Sequence, residues 1–301
     1  MSKLPVIAAV DGSEDSVRAL DWAVDTARTR EAPLKVVHVR QYAAWTQPGS
    51  PVVLPPGPAE DDILDAARAH LATLPDAPDT EYVGLDGAVG VILPELGDTA
   101  QLIVLGSRGR GGFASLLLGS NGIAVSRDAP CPVVVVPRPG REVDDAPEVE
   151  PGPRVVVGVK VDSPDDTVLD FAFAEAARRG ARVHAVATYP WPVQVWTTPA
   201  AILPPALDQD AIADETRALT EDLLAPHRDR HPGVEATAFA VPGDAAGAIV
   251  AASKDAVLTV VGRHRRRLTA PAPMLGSVTQ AALLHAASPI AVIPQPPEPT
   301  N

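Results

Sequence analysis

The sequence is poor in cysteine and in aromatic residues. Its 301 residues include a single cysteine, Cys131, and aromatic side chains make up 4% of the chain. One cysteine excludes an intramolecular disulfide, and its place beside an apolar run predicts a buried, unreactive thiol. With so few aromatics, the core must consist mainly of alanine, valine, leucine and isoleucine.

Long apolar runs and basic residues are also scarce. No apolar run approaches the ~20 residues that a membrane-spanning helix needs. The net charge is −13, and the resulting repulsion argues against binding to nucleic acid or to an anionic membrane. The N-terminal residues predict a strand rather than a secretory signal, and we therefore expect a cytoplasmic protein.

Short apolar runs alternate with segments of helical periodicity in the first half of the chain. The strands are predicted at residues 4–10, 34–39, 81–85, 102–105 and 133–136, and the helices at 14–30, 61–74 and 88–96. A loop that contains proline is predicted at 41–60. Strands that alternate with helices predict an α/β fold with a doubly wound parallel sheet flanked by helices.

The second half repeats the first. Gly119-Ser120 corresponds to Gly276-Ser277, and strands are predicted again at 154–160, 181–188, 234–241, 256–261 and 290–293. Between the repeats, residues 139–153 are rich in proline and acidic residues and predict a linker. We therefore expect domains at 1–138 and 154–296, with a net insertion between the second and third strands of the second domain. The two fifth strands are short and apolar, which predicts that they meet between the repeats or between chains.

A glycine-rich loop follows the fourth strand, with the spacing Gly106-x2-Gly109-x9-Gly119-Ser120. It has no Gly-Lys-Ser/Thr at the spacing of a Walker A loop, and it breaks the dinucleotide-binding pattern. Glycines let backbone amides approach a ligand closely, and Ser120 is a suitable N-cap for a helix whose N-terminus attracts anions. The loop predicts a phosphate cradle; the alternative is a flexible turn that binds no ligand.

This spacing resembles the ATP-binding loop of the universal stress protein family. The resemblance implies two tandem five-stranded sheets in the order 3-2-1-4-5, with ATP and Mg²⁺ bound where strands 1 and 4 diverge. Asp11 would contact the ribose, Val39 the adenine, and the loop the phosphates. The full set of implied binding residues is Ala9, Val10, Asp11, Val39, Leu105, Gly106, Arg108, Gly109, Gly119, Ser120 and Asn121. Asn121 departs from the branched or hydroxyl residue usual at its position, and ATP binding is still expected.

The second repeat departs further from the family pattern. Lys160 stands at the position of Asp11 and Arg265 at that of Gly109, while Pro271 and Pro273 remove two amides from the loop. We expect a degenerate pocket, with at most a weak second site at Gly262, Gly276 and Ser277. The basic run 263–267 is either an anion site or a solvated surface loop.

No catalytic residue and no metal site are predicted from the sequence. His227 and His231 have a helical spacing that can bind metal, but they lack a convincing third ligand. Three functions therefore remain: an ATP-binding stress-response or signalling module with a protein partner, a slow ATP hydrolase, and a dimeric scaffold that needs no ligand. ATP or a related adenine nucleotide is the expected partner, in a homo-oligomer or a pseudo-dimer of the two repeats.

Overall fold

The computed structural model describes residues 3–41, 61–109, 118–141, 143, 150–190, 208–263 and 275–295. These residues form two compact units. Unit 1 contains the described residues up to Pro139 together with Leu275 and Pro289–Pro294, and unit 2 contains those of 140–263, Gly276–Ser288 and Gln295. Residues 42–60 of the predicted loop lie outside the described residues.

Unit 1 contains most of the first repeat. Its elements are β1 (Val6–Ala9), α1 (Glu14–Arg30), β2 (Leu34–Arg40), α2 (Asp62–Leu71), β3 (Thr80–Asp86), α3 (Val89–Glu95) followed by a 3₁₀ turn (Leu96–Thr99), β4 (Leu102–Gly106), α4 (Ser120–Asp128) and β5 (Val133–Val136). Unit 2 contains β6 (Arg154–Val159), α5 (Asp166–Arg179), β7 (Arg182–Tyr189), α6 (Gln209–Arg230), β8 (Ala236–Pro242), α7 (Ala245–Ala252), β9 (Leu258–Gly262) and α8 (Ser277–His285). The last strand, β10 (Ile290–Ile293), belongs to unit 1.

The sheet of unit 1 has the predicted strand order. Its strands run β3-β2-β1-β4-β5, and all four neighbouring pairs are parallel. β10 adds to β5 in the antiparallel direction, with Ala291 opposite Val134. This pairing confirms the prediction that the two fifth strands meet, and it covers the apolar edge that β5 would otherwise expose.

Helix α1 follows the short loop after β1, which contains Asp11, and holds the end of that loop in place. Ser13 caps it by accepting a hydrogen bond from the Ser16 amide, and Arg28 and Arg30 lie in its last turn, where they oppose the negative end of the helix dipole. One face, including Leu20 and Val24, is fully buried against the sheet. The predicted ends of this helix agree with the structure, because the cap and the apolar stripe are both local in sequence.

The core of unit 1 is aliphatic, as the composition predicts. Ile7, Leu34 and Ile103 are fully buried, and the thiol of Cys131 is buried as well. The strands β1, β4 and β5 are buried almost along their whole length, which is usual for parallel strands with helices on both faces. In agreement with that arrangement, α1 and α2 contact each other through Asp21 and His70, and α3 packs on α4.

Unit 2 contains four parallel strands in the order β9-β6-β7-β8, which matches strands 4-1-2-3 of the family order. Helix α6 has 22 residues where α2 has 10. The added length lies between the second and third strands of the repeat, where the sequence comparison places the insertion.

A buried histidine makes the stability of unit 2 depend on pH. His184 lies on β7, stacked on Phe239 with ring centroids 3.7 Å apart. Burial, together with the nearby charges of Arg154 and Arg182, lowers the pKa of His184 from 6.5 to about 4. On acidification, His184 is therefore protonated near pH 6.5 in the unfolded chain but only near pH 4 in the folded chain. Between these two pH values, protonation stabilises the unfolded state.

We expect acidification from pH 7 to pH 4 to destabilise unit 2 by about 3 kcal/mol through this group alone. His184→Phe keeps an aromatic ring against Phe239 and removes the titration, so its stability should fall less over the same pH range. Urea denaturation at several pH values measures the difference. Parallel pH profiles for the two proteins would contradict the assignment.

Candidate functional site

The strand register brings the predicted binding residues of unit 1 to one edge of the sheet. Ala9 pairs with Val37 on β2, and Ala8 pairs with Val104 on β4. The chain segments that follow β1 and β4, and the end of β2, therefore lie at the same level. Ala9 ends β1, Val10 and Leu105 are buried beneath this edge, and Val39 is 8% exposed at the end of β2. Asp11 and Gly106 lie directly above them.

Asp11 is held by the turn that leads into α1. Its carboxylate accepts hydrogen bonds from the backbone amide of Ser13 at 3.0 Å and from the Ser13 hydroxyl at 2.6 Å. The same hydroxyl lies 3.3 Å from the carbonyl oxygen of Arg108. Ser13 therefore links the first loop, which contains Asp11, to the loop that follows β4.

Two glycines at the end of β4 and in the following loop lie close to neighbouring atoms. A Cβ added at Gly106, the last residue of β4, would lie 2.6 Å from the backbone carbonyl of Asp15, which α1 holds in place. A Cβ added at Gly109 would overlap a carboxylate oxygen of Asp11 and would displace that side chain. Packing against α1 therefore requires glycine at 106, and Gly109 leaves the Asp11 carboxylate in its place. Residues 110–117, which include Arg110, Gly111 and Gly112, lie outside the described residues.

Gly119 immediately precedes the helix that follows the loop. It is the N-cap of α4, and its amide donates a hydrogen bond to the Ser107 carbonyl at 2.8 Å. The prediction that Ser120 is the N-cap is wrong, because Ser120 is the first helical residue and no side chain caps this helix. Ser120 and Asn121 are exposed. The first turn of α4 thus leaves amide groups available to a ligand.

Among the described residues, the space beside Gly119 is open. The nearest of their atoms to a Cβ added there is the Ser107 carbonyl oxygen, at 3.8 Å. Unlike Gly106 and Gly109, Gly119 makes no close approach to the part of the protein that the structure describes. A small residue at this place keeps the first turn of α4 accessible, which suits an anion that accepts hydrogen bonds from the helix N-terminus.

Asp15 is a residue of this region that sequence reasoning missed. It lies in the first turn of α1 and is 1% exposed. Its carboxylate accepts hydrogen bonds from the Ser107 hydroxyl at 3.0 Å and from Arg138 at 2.9 Å, and it forms an ion pair with Arg18. An acidic residue in the first turn of a helix is ordinary, so the sequence carried no signal that this one is buried under the loop.

The corresponding edge of unit 2 is built differently. Lys160 is exposed and pairs with Asp162 at 3.4 Å, so the position of Asp11 carries a positive charge. Gly262 ends β9, Gly276 is the N-cap of α8, and Ser277 begins that helix. Here the loop and the helix are tied by the Thr279 hydroxyl, which donates to the Gly262 carbonyl at 2.8 Å.

Several predicted features of the second repeat lie outside the described residues. These are residues 264–274, which include Arg265, Pro271, Pro273 and most of the basic run. Gly262, Gly276 and Ser277 are at the same edge of unit 2 as their counterparts in unit 1. The described residues of unit 2 therefore keep this edge of the sheet and carry a lysine in place of the Asp11 carboxylate.

His227, the first of the two histidines whose spacing can bind metal, is buried in the packing of α6. His227 is 1% exposed, stacks on Phe173 and lies 3.0 Å from a carboxylate oxygen of Asp170. Within the described ranges, no group of three or more histidine, cysteine or acidic side chains is placed to hold a metal ion. Among the same residues, no helix is long and apolar enough to cross a membrane.

Known proteins resemble this chain over nearly its whole length. A sequence model of the Universal stress protein family matches residues 4–137 and again 153–294. Universal stress protein Rv2005c of Mycobacterium tuberculosis is 33% identical over 305 residues, which cover 96% of this chain and 97% of the relative. Universal stress protein Rv2623 of the same organism is 30% identical over 310 residues, covering 97% and 96%. The crystal structure of a universal stress protein from Archaeoglobus fulgidus matches with a TM-score of 0.62 at 19% identity, covering 97% of this chain and 98% of that one, and shares its fold.

Proposed function

Because the chain belongs to the universal stress protein family, we propose that unit 1 binds ATP with Mg²⁺ and that the protein is a stress-response or signalling module. The observation that carries the proposal is the space beside Gly119 that the described residues leave open, at the start of α4, where no side-chain hydrogen bond caps the helix. The Asp11 carboxylate and the loop after β4 lie at the same edge of the sheet.

Each part of the edge suits one part of the nucleotide. The amides of Gly109, Ser120 and Asn121, with the Ser120 hydroxyl, would donate to phosphate oxygens. Arg108 would add positive charge beside them. Asp11, whose carboxylate is only half-buried, would accept hydrogen bonds from ribose hydroxyls. Val39 would contact the adenine from the end of β2.

The same arrangement explains why we propose binding rather than catalysis. Backbone amides and one carboxylate can bind and orient a nucleotide. Hydrolysis would also need a base or a nucleophile, and we identify neither among the described residues. Mg²⁺ would be held mainly by the phosphate oxygens, since the described residues provide no cluster of metal ligands. In this proposal, occupancy of the site biases the conformation that a protein partner or a second copy of the chain recognises.

The proposal is tested by identifying what the protein retains. Freshly purified protein is denatured, and the released small molecules are analysed by mass spectrometry. Retained ATP, or tight binding of added ATP, supports the binding module. Rapid conversion of added ATP to ADP would favour the slow hydrolase, and an empty protein that binds no adenine nucleotide would favour the scaffold.

Asp11→Ala should weaken ATP binding by about 1–3 kcal/mol, because charged hydrogen bonds to the ribose hydroxyls are lost. Isothermal titration calorimetry measures the change. Asp25→Ala is a suitable control, since Asp25 is an exposed carboxylate in α1 that pairs with Arg28 away from this edge. Equal ATP affinities for Asp11→Ala and Asp25→Ala would show that Asp11 does not hold the sugar.

A further inference from the structure

Asp15 is a buried carboxylate with three polar partners. The Ser107 hydroxyl donates to one of its oxygens at 3.0 Å, and the Arg138 Nε–H donates to the other at 2.9 Å. Arg18, one turn further along α1, forms an ion pair with the second oxygen. Asp15 and Ser107 are each 1% exposed. The hydrogen bonds from Ser107 and Arg138 are therefore made to a carboxylate that is shielded from water.

This cluster lies directly under the proposed phosphate site. The Ser107 amide donates to the Val136 carbonyl at 3.0 Å, and the Ser107 carbonyl accepts from the Gly119 amide at 2.8 Å. Hydrogen bonds therefore run without interruption from Arg138 through Asp15 and Ser107 to Gly119. The chain of contacts joins the segment after β5, the first turn of α1, the loop after β4 and the start of α4.

The partners of Asp15 keep its carboxylate ionised. Burial opposes ionisation of Asp15, but the hydrogen bonds from Arg138 and Ser107 and the charge of Arg18 hold the pKa of its carboxyl below the ordinary value. The carboxylate is thus ionised at neutral pH and accepts charge-assisted hydrogen bonds. Glu14 also acts on Arg138, so the two arginines face two carboxylates, and the cluster acts by positioning rather than by net charge.

The second repeat has none of the three residues Asp15, Ser107 and Arg138. Pro164 stands at the position of Asp15, Arg263 at that of Ser107, and Gln295 at that of Arg138. Proline cannot accept a hydrogen bond through its side chain, and glutamine carries no charge. The cluster is therefore specific to the unit in which the rest of the phosphate cradle is present.

We propose that Arg138, the second residue after β5, is a positioning residue for the phosphate loop and acts on it through Asp15 and Ser107. It fixes the buried carboxylate that orients Ser107, and Ser107 in turn fixes the amide of Gly119. This inference rests on the proposed function of unit 1. In it, the affinity of unit 1 for ATP depends on Arg138, a residue that does not itself contact the nucleotide.

Arg138→Gln places the residue of the second repeat in the first. ATP affinity should fall about tenfold, because Asp15 loses a charged hydrogen bond and the region below the loop loses one positive charge. Adenosine, which has no phosphate, should bind with an affinity within about twofold of the wild type. Arg138→Lys keeps the charge and should recover most of the ATP affinity.

A merely structural role would give a different pattern. If Arg138→Gln only destabilised unit 1, the binding of ATP and the binding of adenosine would weaken equally. Arg138→Lys would then not restore ATP binding selectively. Arg68→Gln is the matched control, because Arg68 is also a part-exposed arginine of unit 1 paired with an aspartate, Asp65 at 2.7 Å. That variant should bind both ligands as the wild type does.

The test is calorimetric titration of the full-length wild type, Arg138→Gln, Arg138→Lys and Arg68→Gln with ATP and with adenosine. Hydrogen exchange of the Gly119 amide in ligand-free protein is a second readout, and it should be faster in Arg138→Gln. If the wild type binds ATP and Arg138→Gln binds it equally well, the inference is wrong and the proposed function stands. If the wild type binds no ATP, the proposed function is wrong and the inference falls with it.

Discussion

Gly119→Val should abolish measurable ATP binding while unit 1 stays folded. The backbone at Gly119 has φ −78° and ψ 153°, which valine adopts without strain. The nearest described atom to an added Cβ is 3.8 Å away, so the substitution clashes with none of the described residues. The valine methyl groups would instead occupy the space in which, under the proposed function, phosphates would accept hydrogen bonds from α4. We expect at least a hundredfold loss of affinity, or about 3 kcal/mol.

Gly276→Val is the matched control for this variant. Gly276 is the N-cap of α8 and has a similar backbone conformation, with φ −64° and ψ 157°. It belongs to the repeat in which Lys160 stands at the position of Asp11, the carboxylate proposed to bind ribose, so its substitution should leave ATP affinity unchanged. Calorimetry and thermal unfolding of both variants separate loss of binding from loss of fold. Normal ATP affinity in Gly119→Val would remove the basis for the phosphate cradle.

Gly106→Ala should destabilise unit 1 severely and thereby impair binding. The added Cβ would lie 2.6 Å from both the carbonyl carbon and the oxygen of Asp15. These are backbone atoms of α1, which cannot move without disturbing the buried contacts of that helix. We expect a loss of about 3 kcal/mol, at the upper end of the usual cost of overpacking.

The equivalent change in unit 2 should be milder. A Cβ added at Gly262 would lie 3.1 Å from a methyl group of Val168, and a side chain can shift by a few tenths of an ångström. We expect a cost of about 1 kcal/mol for Gly262→Ala. Denaturation monitored by hydrogen exchange assigns each loss to its unit. Equal losses for the two variants would contradict the close packing of α1 on Gly106.

Features fixed by neighbouring residues were predictable from the sequence. The helical periodicity of residues 14–30 predicted both ends of α1, and the short apolar run at 133–136 predicted β5. The alternation of strands and helices, with the family resemblance, predicted the order of the first five strands. These signals are local, or they follow from the repeat, and need no knowledge of long-range contacts.

Features fixed by distant residues were not predictable. Asp15 looked like an ordinary acidic residue at a helix start, and its burial depends on Ser107 and Arg138, which are far away in sequence. Serine is a common N-cap residue, which favoured Ser120, but Gly119 is the N-cap in the structure. The Gly119 amide donates a hydrogen bond to the carbonyl of Ser107, a contact that the local sequence does not indicate. The Thr279 bond that joins α8 to β9 in unit 2 has no counterpart in the first repeat from which to predict it.

The two repeats should differ in ATP binding, and the number of ATP molecules bound per chain measures this difference. Equilibrium titration of the wild type should give one ATP per chain, Gly276→Val should also give one, and Gly119→Val should give none. Unit 2 lacks an acceptor for the ribose hydroxyls at Lys160 and lacks the Asp15 cluster. A count of two per chain that falls only to one in Gly119→Val would contradict the account.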